Sequence, residues 1–133
     1  EHSFPTRRSS DLSTIILYYI CAMKLDNMKA QMRKGVLEMC ILSLLSVEAM
    51  YTSDIIERLR HSQLVVVEGT LYPLLTRLKN AGFLEYYWME SNYGPPRKYF
   101  KITEEGRTFL KGLKDSWTEI NEAVSLTSQK PQL

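Results

Sequence analysis

The chain has 133 residues, room for one domain of ordinary size and too little for two well-buried ones. A hydrophobic fraction of 44% excludes wholesale disorder, while 17 Lys and Arg against 15 Asp and Glu leave a formal charge of +2, too small to name a polyanionic partner by itself. Two cysteines, Cys21 and Cys40, and few histidines, His61 among them, build neither a disulfide framework nor a zinc cluster, so no metal and no cofactor is expected and the expected compartment is the cytoplasm.

Residues 1–27 read differently from the rest. Ser3 to Leu12 has neither helical nor alternating periodicity and resembles the conceptual translation of a sequencing adapter. The first 27 residues are therefore expected to be a non-native or disordered leader, with the native start at Met23 or Met28. The apolar run from Ile15 to Met23 falls short of the roughly 18 residues of a membrane helix. Behind Arg7 and Arg8 it has the cast of a signal peptide, but those arginines belong to the adapter-like run. No membrane partner is expected.

From Arg33 to Ser46, Val36, Leu37, Cys40, Ile41, Leu44 and Leu45 recur at helical spacing and predict a first helix with one apolar face. After a break at residues 46–50, Thr52 or Ser53 can cap a second helix that buries Ile55, Ile56 and Leu59. Leu64 to Val67 reads as an extended connector or a poor strand. Thr70 can cap a third helix with Leu71, Leu74, Leu75 and Leu78 as its core stripe; a start at Glu68 would instead cost a hydrogen bond at Pro73. Gly82 ends it. Phe83 to Glu90 and Arg97 to Ile102, joined by the turn cluster 91–96, form a β-hairpin with a basic returning arm, on which Trp88 and Met89 are expected in core or hairpin packing. Thr103 with Glu104 and Glu105 caps a last helix, in which Leu110, Leu113, Trp117, Ile120 and Val124 are spaced three, four, three, four. That is a heptad seam suited to a partner helix. The residues from Ser125 onward are expected to fray.

The expected fold is mainly α with a β-hairpin: a winged helix-turn-helix domain over 28–102, a C-terminal dimerisation helix over 103–126 and a flexible tail over 127–133. In such a fold the third helix enters the major groove and the hairpin reaches the backbone or minor groove from the side.

The run Val67-Glu68-Gly69-Thr70-Leu71-Tyr72-Pro73-Leu74-Leu75-Thr76-Arg77-Leu78 resembles the recognition-helix signature of the PadR family of bacterial transcriptional regulators. Gly94-Pro95-Pro96-Arg97-Lys98-Tyr99-Phe100 and Ile102-Thr103-Glu104-Glu105-Gly106 resemble the same family's wing and the start of its last helix. The resemblance covers roughly residues 29–126, and the short C-terminal region is similar to the small subfamily. It departs at Tyr51-Thr52-Ser53-Asp54, where the family often has a Gly-Tyr pair.

The resemblance implies a homodimeric repressor of double-stranded DNA with a two-fold operator. The residues expected on DNA are Thr70, Tyr72, Thr76, Arg77 and Lys79 of the third helix, Arg97 and Lys98 of the wing, Arg33 and Lys34 of the first helix, and Thr52 and Ser53. Strand alternation predicts that only one of Arg97 and Lys98 points outward. Bland readings stand beside these: Tyr72 packed on the connector, and the basic side chains as solvated faces. Leu110, Leu113, Trp117, Ile120 and Val124 are the expected dimer seam. In some members of the subfamily paired tryptophans flank a cavity for flat aromatic compounds, which would place a planar hydrophobic effector at Trp117, Phe109, Leu113 and Ile120; a closed dimer core is the other reading of Trp117. No nucleophile, metal-ligand run or phosphate-binding glycine loop suggests an enzyme. The alternative is a winged-helix protein-interaction module, which a neutral or acidic third-helix face would favour; Arg77, Lys79, Arg97 and Lys98 argue the other way.

Overall fold

A computed structural model describes residues 11–132. The elements are α1 (Leu12–Val47), β1 (Met50–Tyr51), α2 (Thr52–His61), α3 (Glu68–Asn80), β2 (Leu84–Ser91), β3 (Gly94–Ile102) and α4 (Glu104–Thr127). The chain divides into two units, Glu1–Val36 and Leu37–Leu133.

The first unit holds the opening part of α1. Residues 12–27, part of the segment expected to be a non-native or disordered leader, are helical, and the part of the adapter-like run up to Ser10 lies outside the described residues. Ile16, Leu17, Ile20 and Met23 are exposed on this helix. Among the described residues no helix is long and apolar enough to cross a membrane.

The second unit carries the core. Leu37, Ile41, Leu42 and Leu45 of α1 join Ile55 and Leu59 of α2, and Leu71, Leu74, Leu75 and Leu78 of α3. The sheet closes it with Met50, Leu84, Phe100 and Ile102, and α4 adds Leu110. On α1, α2 and α3 the stripes read from periodicity face this core, with Cys40, Leu44 and Ile56 only partly buried. Each fully buried Leu or Ile contributes about 1.5–3 kcal/mol.

Several boundaries differ from the sequence reading. Residues 46–50 are not simply a break: Met50 and Tyr51 form a short strand antiparallel to β3, opposite Phe100 and Tyr99, so the sheet order is β1-β3-β2. This pairing holds Tyr51 extended, and α2 starts immediately after it without a side-chain cap; Thr52 and Ser53 are thus helical residues, not caps. Likewise α3 begins at Glu68 behind an extended Val67, so Thr70 is not its cap. Pro73 lies inside the helix, and its missing N–H leaves the Gly69 carbonyl without its helical donor. The four buried leucines of α3 offset that loss. Leu64 to Val67 forms no strand; Leu64 and Val66 pack on the core while Val65 and Val67 face water.

The turns follow the expected chemistry. Gly82 adopts φ 85°, and the N–H groups of Gly82 and Phe83 donate to the carbonyls of Lys79 and Leu78 at 3.0 Å each, a left-handed helix stop of the Schellman type. Thr103 caps α4: its Oγ1 accepts from the Gly106 N–H at 3.0 Å and donates to the Gly82 carbonyl at 2.6 Å. The Thr103 N–H donates to the Phe83 carbonyl at 3.0 Å. The start of α4 is thereby tied to the end of α3 and the entry to β2. The helix persists through Thr127, beyond the expected onset of fraying at Ser125.

Candidate nucleic-acid interface

Two adjoining depressions lie where α2, α3 and the hairpin meet. The first, a groove of about 460 Å³, is bordered by Tyr51, Thr52 and Ser53 at the start of α2, by Glu68 and Tyr72 of α3, and by Trp88, Arg97 and Lys98 of the hairpin. The second, a cleft of about 220 Å³, has Tyr72, Thr76, Lys79 and Asn80 of α3 on one wall and Tyr86, Lys98 and Phe100 on the other. Tyr72 and Lys98 border both.

Of the side chains expected on DNA, Thr52, Ser53, Tyr72, Arg97 and Lys98 border the groove, and Thr76 and Lys79 the cleft. Tyr72 is 49% exposed and borders both depressions. Two others stand apart. Thr70 is exposed but borders neither depression, and Arg77 pairs with Glu38 of α1, bracing α3 against that helix. Arg33 and Lys34 are exposed on α1 within the Glu1–Val36 unit.

The chemistry of this face suits an anionic ligand with polar edges. The start of α2 has no side-chain cap, and Asp54 already places one carboxylate in its first turn, where the helix dipole favours negative charge. Arg97 and Lys98 alternate along β3, yet both border the groove. Each is held by aromatic rings. The Arg97 guanidinium lies 5.3 Å from the Tyr51 ring centroid; Lys98 Nζ lies 4.1 Å from Tyr86, 5.4 Å from Trp88 and 5.9 Å from Phe100. Lys79 Nζ approaches the same Tyr86 ring at 5.5 Å. Tyr51 meets Tyr99 with ring centroids 3.7 Å apart and the planes tilted by 44°, and Tyr99 stacks on Tyr87 at 5.6 Å. A hydrogen bond with Tyr51, followed by burial, pushes the Tyr99 hydroxyl up to about 12. Trp88, expected in core or hairpin packing, is 63% exposed and touches Tyr86 edge to face, and Met89 is exposed as well.

Sequence reasoning missed Tyr51, Tyr86, Tyr99 and Glu68. The signal for Tyr86 was present, since it stands two residues before Trp88 and alternation places both on one face. Tyr51 carried no such signal, because a strand of two residues has no periodicity.

On α4 the expected seam divides. Leu110 is packed in the chain's own core and Leu113 packs against it, whereas Trp117, Ile120 and Val124 are 46%, 57% and 60% exposed. Phe109 stacks on Phe83 with centroids 4.1 Å apart. Trp117 and Lys114 border a mostly apolar cavity of about 330 Å³, walled on the other side by Met39, Cys40, Ser43 and Leu44 of α1 and by Leu59, Ser62 and Leu64. Phe109, Leu113 and Ile120 do not line it. Burial pushes the Cys40 thiol up, consistent with a small, half-buried apolar side chain. Among the described residues no group of three or more His, Cys, Asp or Glu is placed to hold a metal ion.

Three helices, a hairpin wing and a closing helix, with hydroxyls and cations gathered beside the third helix, define a winged helix-turn-helix transcriptional regulator. Residues 41–112 match the transcriptional regulator PadR-like family, and the chain belongs to that family. It is similar to the crystal structure of a PadR-like transcription factor from Bacteroides fragilis, with 58% identity, 77% of this chain and 99% of the other covered, and a TM-score of 0.66. A PadR family transcriptional regulator from Eggerthella lenta is 28% identical over 84% of this chain and 99% of its own, with a TM-score of 0.78. An uncharacterized protein of Lysinibacillus sphaericus is 29% identical over 96 residues, 70% of this chain and 88% of its own length.

Proposed function

We propose that the chain is a homodimeric repressor that binds double-stranded DNA at a two-fold-symmetric operator. The observation that carries this reading is the convergence of Thr52, Ser53, Tyr72, Thr76, Lys79, Arg97 and Lys98, from three separate elements, on one continuous face. With α3 in the major groove, Tyr72 and Thr76 face base edges or phosphates, and the wing cations meet the backbone. Dimerisation through α4 is supported by its exposed Trp117, Ile120 and Val124, an apolar row that a second copy would cover. Half-sites would then lie about one helical turn apart.

The cavity at Trp117 supports relief of repression by a planar hydrophobic effector, which would stack on the indole and gain apolar burial. Such a molecule loosens DNA only if it favours a spacing of the two α3 helices that does not fit the operator. Its expected neighbours are Met39, Cys40 and Leu44 rather than Phe109, Leu113 and Ile120.

The test is a gel shift on the promoter region of the protein's own gene at two salt concentrations. Binding should weaken steeply as salt rises, because each phosphate contact releases counterions. A folded protein that shifts no duplex at low salt overturns the reading.

A further inference from the structure

The arginines and lysines expected on DNA are held in different ways, at the wing and away from it. Arg77 is matched by the Glu38 carboxylate, which neutralises it. Among the described residues neither Arg97 nor Lys98 forms an ion pair; each lies over an aromatic ring instead. The difference matters to an anion. A carboxylate partner must be displaced before a phosphate can take its place, whereas a ring restrains the cation through its quadrupole and leaves the full charge outward.

The rings come from opposite faces of the hairpin. Tyr51 reaches Arg97 because β1 pairs with β3 one residue pair before α2 begins, and its ring is itself fixed against Tyr99. Tyr86 of β2 stands directly opposite Phe100 of β3 and so shares the Lys98 face. We propose that Tyr51 and Tyr86 are positioning residues for the wing cations, Tyr51 for Arg97 and Tyr86 for Lys98. They hold both charges at the groove before DNA arrives. The role rests on the DNA-binding reading and adds to it the reason why two long side chains lose little freedom on contact.

Double-mutant cycles test it. Tyr51→Leu and Tyr51→Phe are compared in the wild-type and Arg97→Ala backgrounds, and Tyr86→Leu and Tyr86→Phe in the wild-type and Lys98→Ala backgrounds. The probe is the promoter duplex of the protein's own gene, read by fluorescence anisotropy. Each Leu variant should weaken binding about two- to fivefold, the scale of an exposed cation–π contact, and each Phe variant should restore it. In the matched Ala background the Leu substitution should cost nothing further. Equal losses in both backgrounds, Phe variants as weak as Leu variants, or no loss at all overturn the proposal. Proton NMR of the unaltered, DNA-free protein keeps the test independent of how the variants fold. The Arg97 Cδ and Lys98 Cε protons should be shifted upfield by the rings, and ordinary shifts at both overturn the positioning. If the wild-type protein binds no duplex at low salt while those shifts are present, the DNA reading fails and the role falls with it. Binding with additive losses removes the role alone.

Discussion

Gly106→Ala should destabilise the protein more than its conservative appearance suggests. Gly106 is buried in the first turn of α4, where a Cβ would overlap the Phe83 carbonyl oxygen and stand 2.7 Å from Ile102 Cγ1. The Ile102 side chain can turn aside, but the Phe83 carbonyl is backbone. It already accepts from the Thr103 N–H, so it cannot retreat without stretching that bond. Overpacking of this kind costs about 1–3 kcal/mol. Loss of the Thr103 hydrogen bond adds about 1 kcal/mol. A total of about 2–4 kcal/mol is a large part of a stability of about 5–15 kcal/mol. For a domain of this size each kcal/mol lowers the melting temperature by about 4–8 °C. Gly112→Ala supplies the control on the same helix. Nothing lies within 4 Å of its Cβ position, so the helix propensity of alanine should raise stability by about 0.5–1 kcal/mol. Urea unfolding followed by circular dichroism measures both. If Gly106→Ala unfolds at the wild-type midpoint, or if the two substitutions shift it in the same direction, the junction between β2 and α4 is not the rigid contact described.

The remaining predictions concern the proposed dimer, the proposed effector and the tyrosine pair. Ile120→Lys, at an exposed position of α4, should turn a dimer into a folded monomer in sedimentation at micromolar concentration, whereas an unchanged dimer would move the interface elsewhere. Ile120 is a better probe than Leu113, which also packs on the chain's own core. A panel of flat aromatic compounds should quench tryptophan fluorescence in the wild type and in Trp88→Phe but not in Trp117→Ala; quenching that survives loss of Trp117 rejects the cavity as the effector site. In an absorbance titration one phenol should ionise near 12, and Tyr51→Phe should bring it back toward the ordinary value of about 10. The native state then holds a proton that the unfolded chain gives up, so this group's contribution is intact below pH about 10 and declines as pH rises toward 12.

What the sequence made legible was local chemistry, and what it concealed was pairing between distant segments. The leucine stripe of α3, the left-handed Gly82 and the Thr103 cap each depend on residues within a few positions of one another, so spacing alone reveals them. The starts of α2 and α3 do not. Thr52 and Thr70 are good capping residues by type, yet the chain enters each helix earlier, because Tyr51 is held extended by Tyr99 and the extended connector ends at Val67. Hydrophobic spacing on α4 was equally blind to what covers it. Leu110 and Trp117 belong to one heptad row, but Leu110 is buried in the chain's own core, Trp117 is half-exposed beside the α1 cavity, and Ile120 and Val124 are exposed. The same limit explains the wing. Arg97 and Lys98 were visible as adjacent cations, but the rings beneath them come from β1 and β2, and only strand register brings these to β3. The candidate face is therefore a tertiary object assembled from locally ordinary pieces. If the proposed DNA-binding reading holds, a substitution at Tyr51, in a segment with no periodicity of its own, should consequently disturb the contact proposed for Arg97, far along the chain.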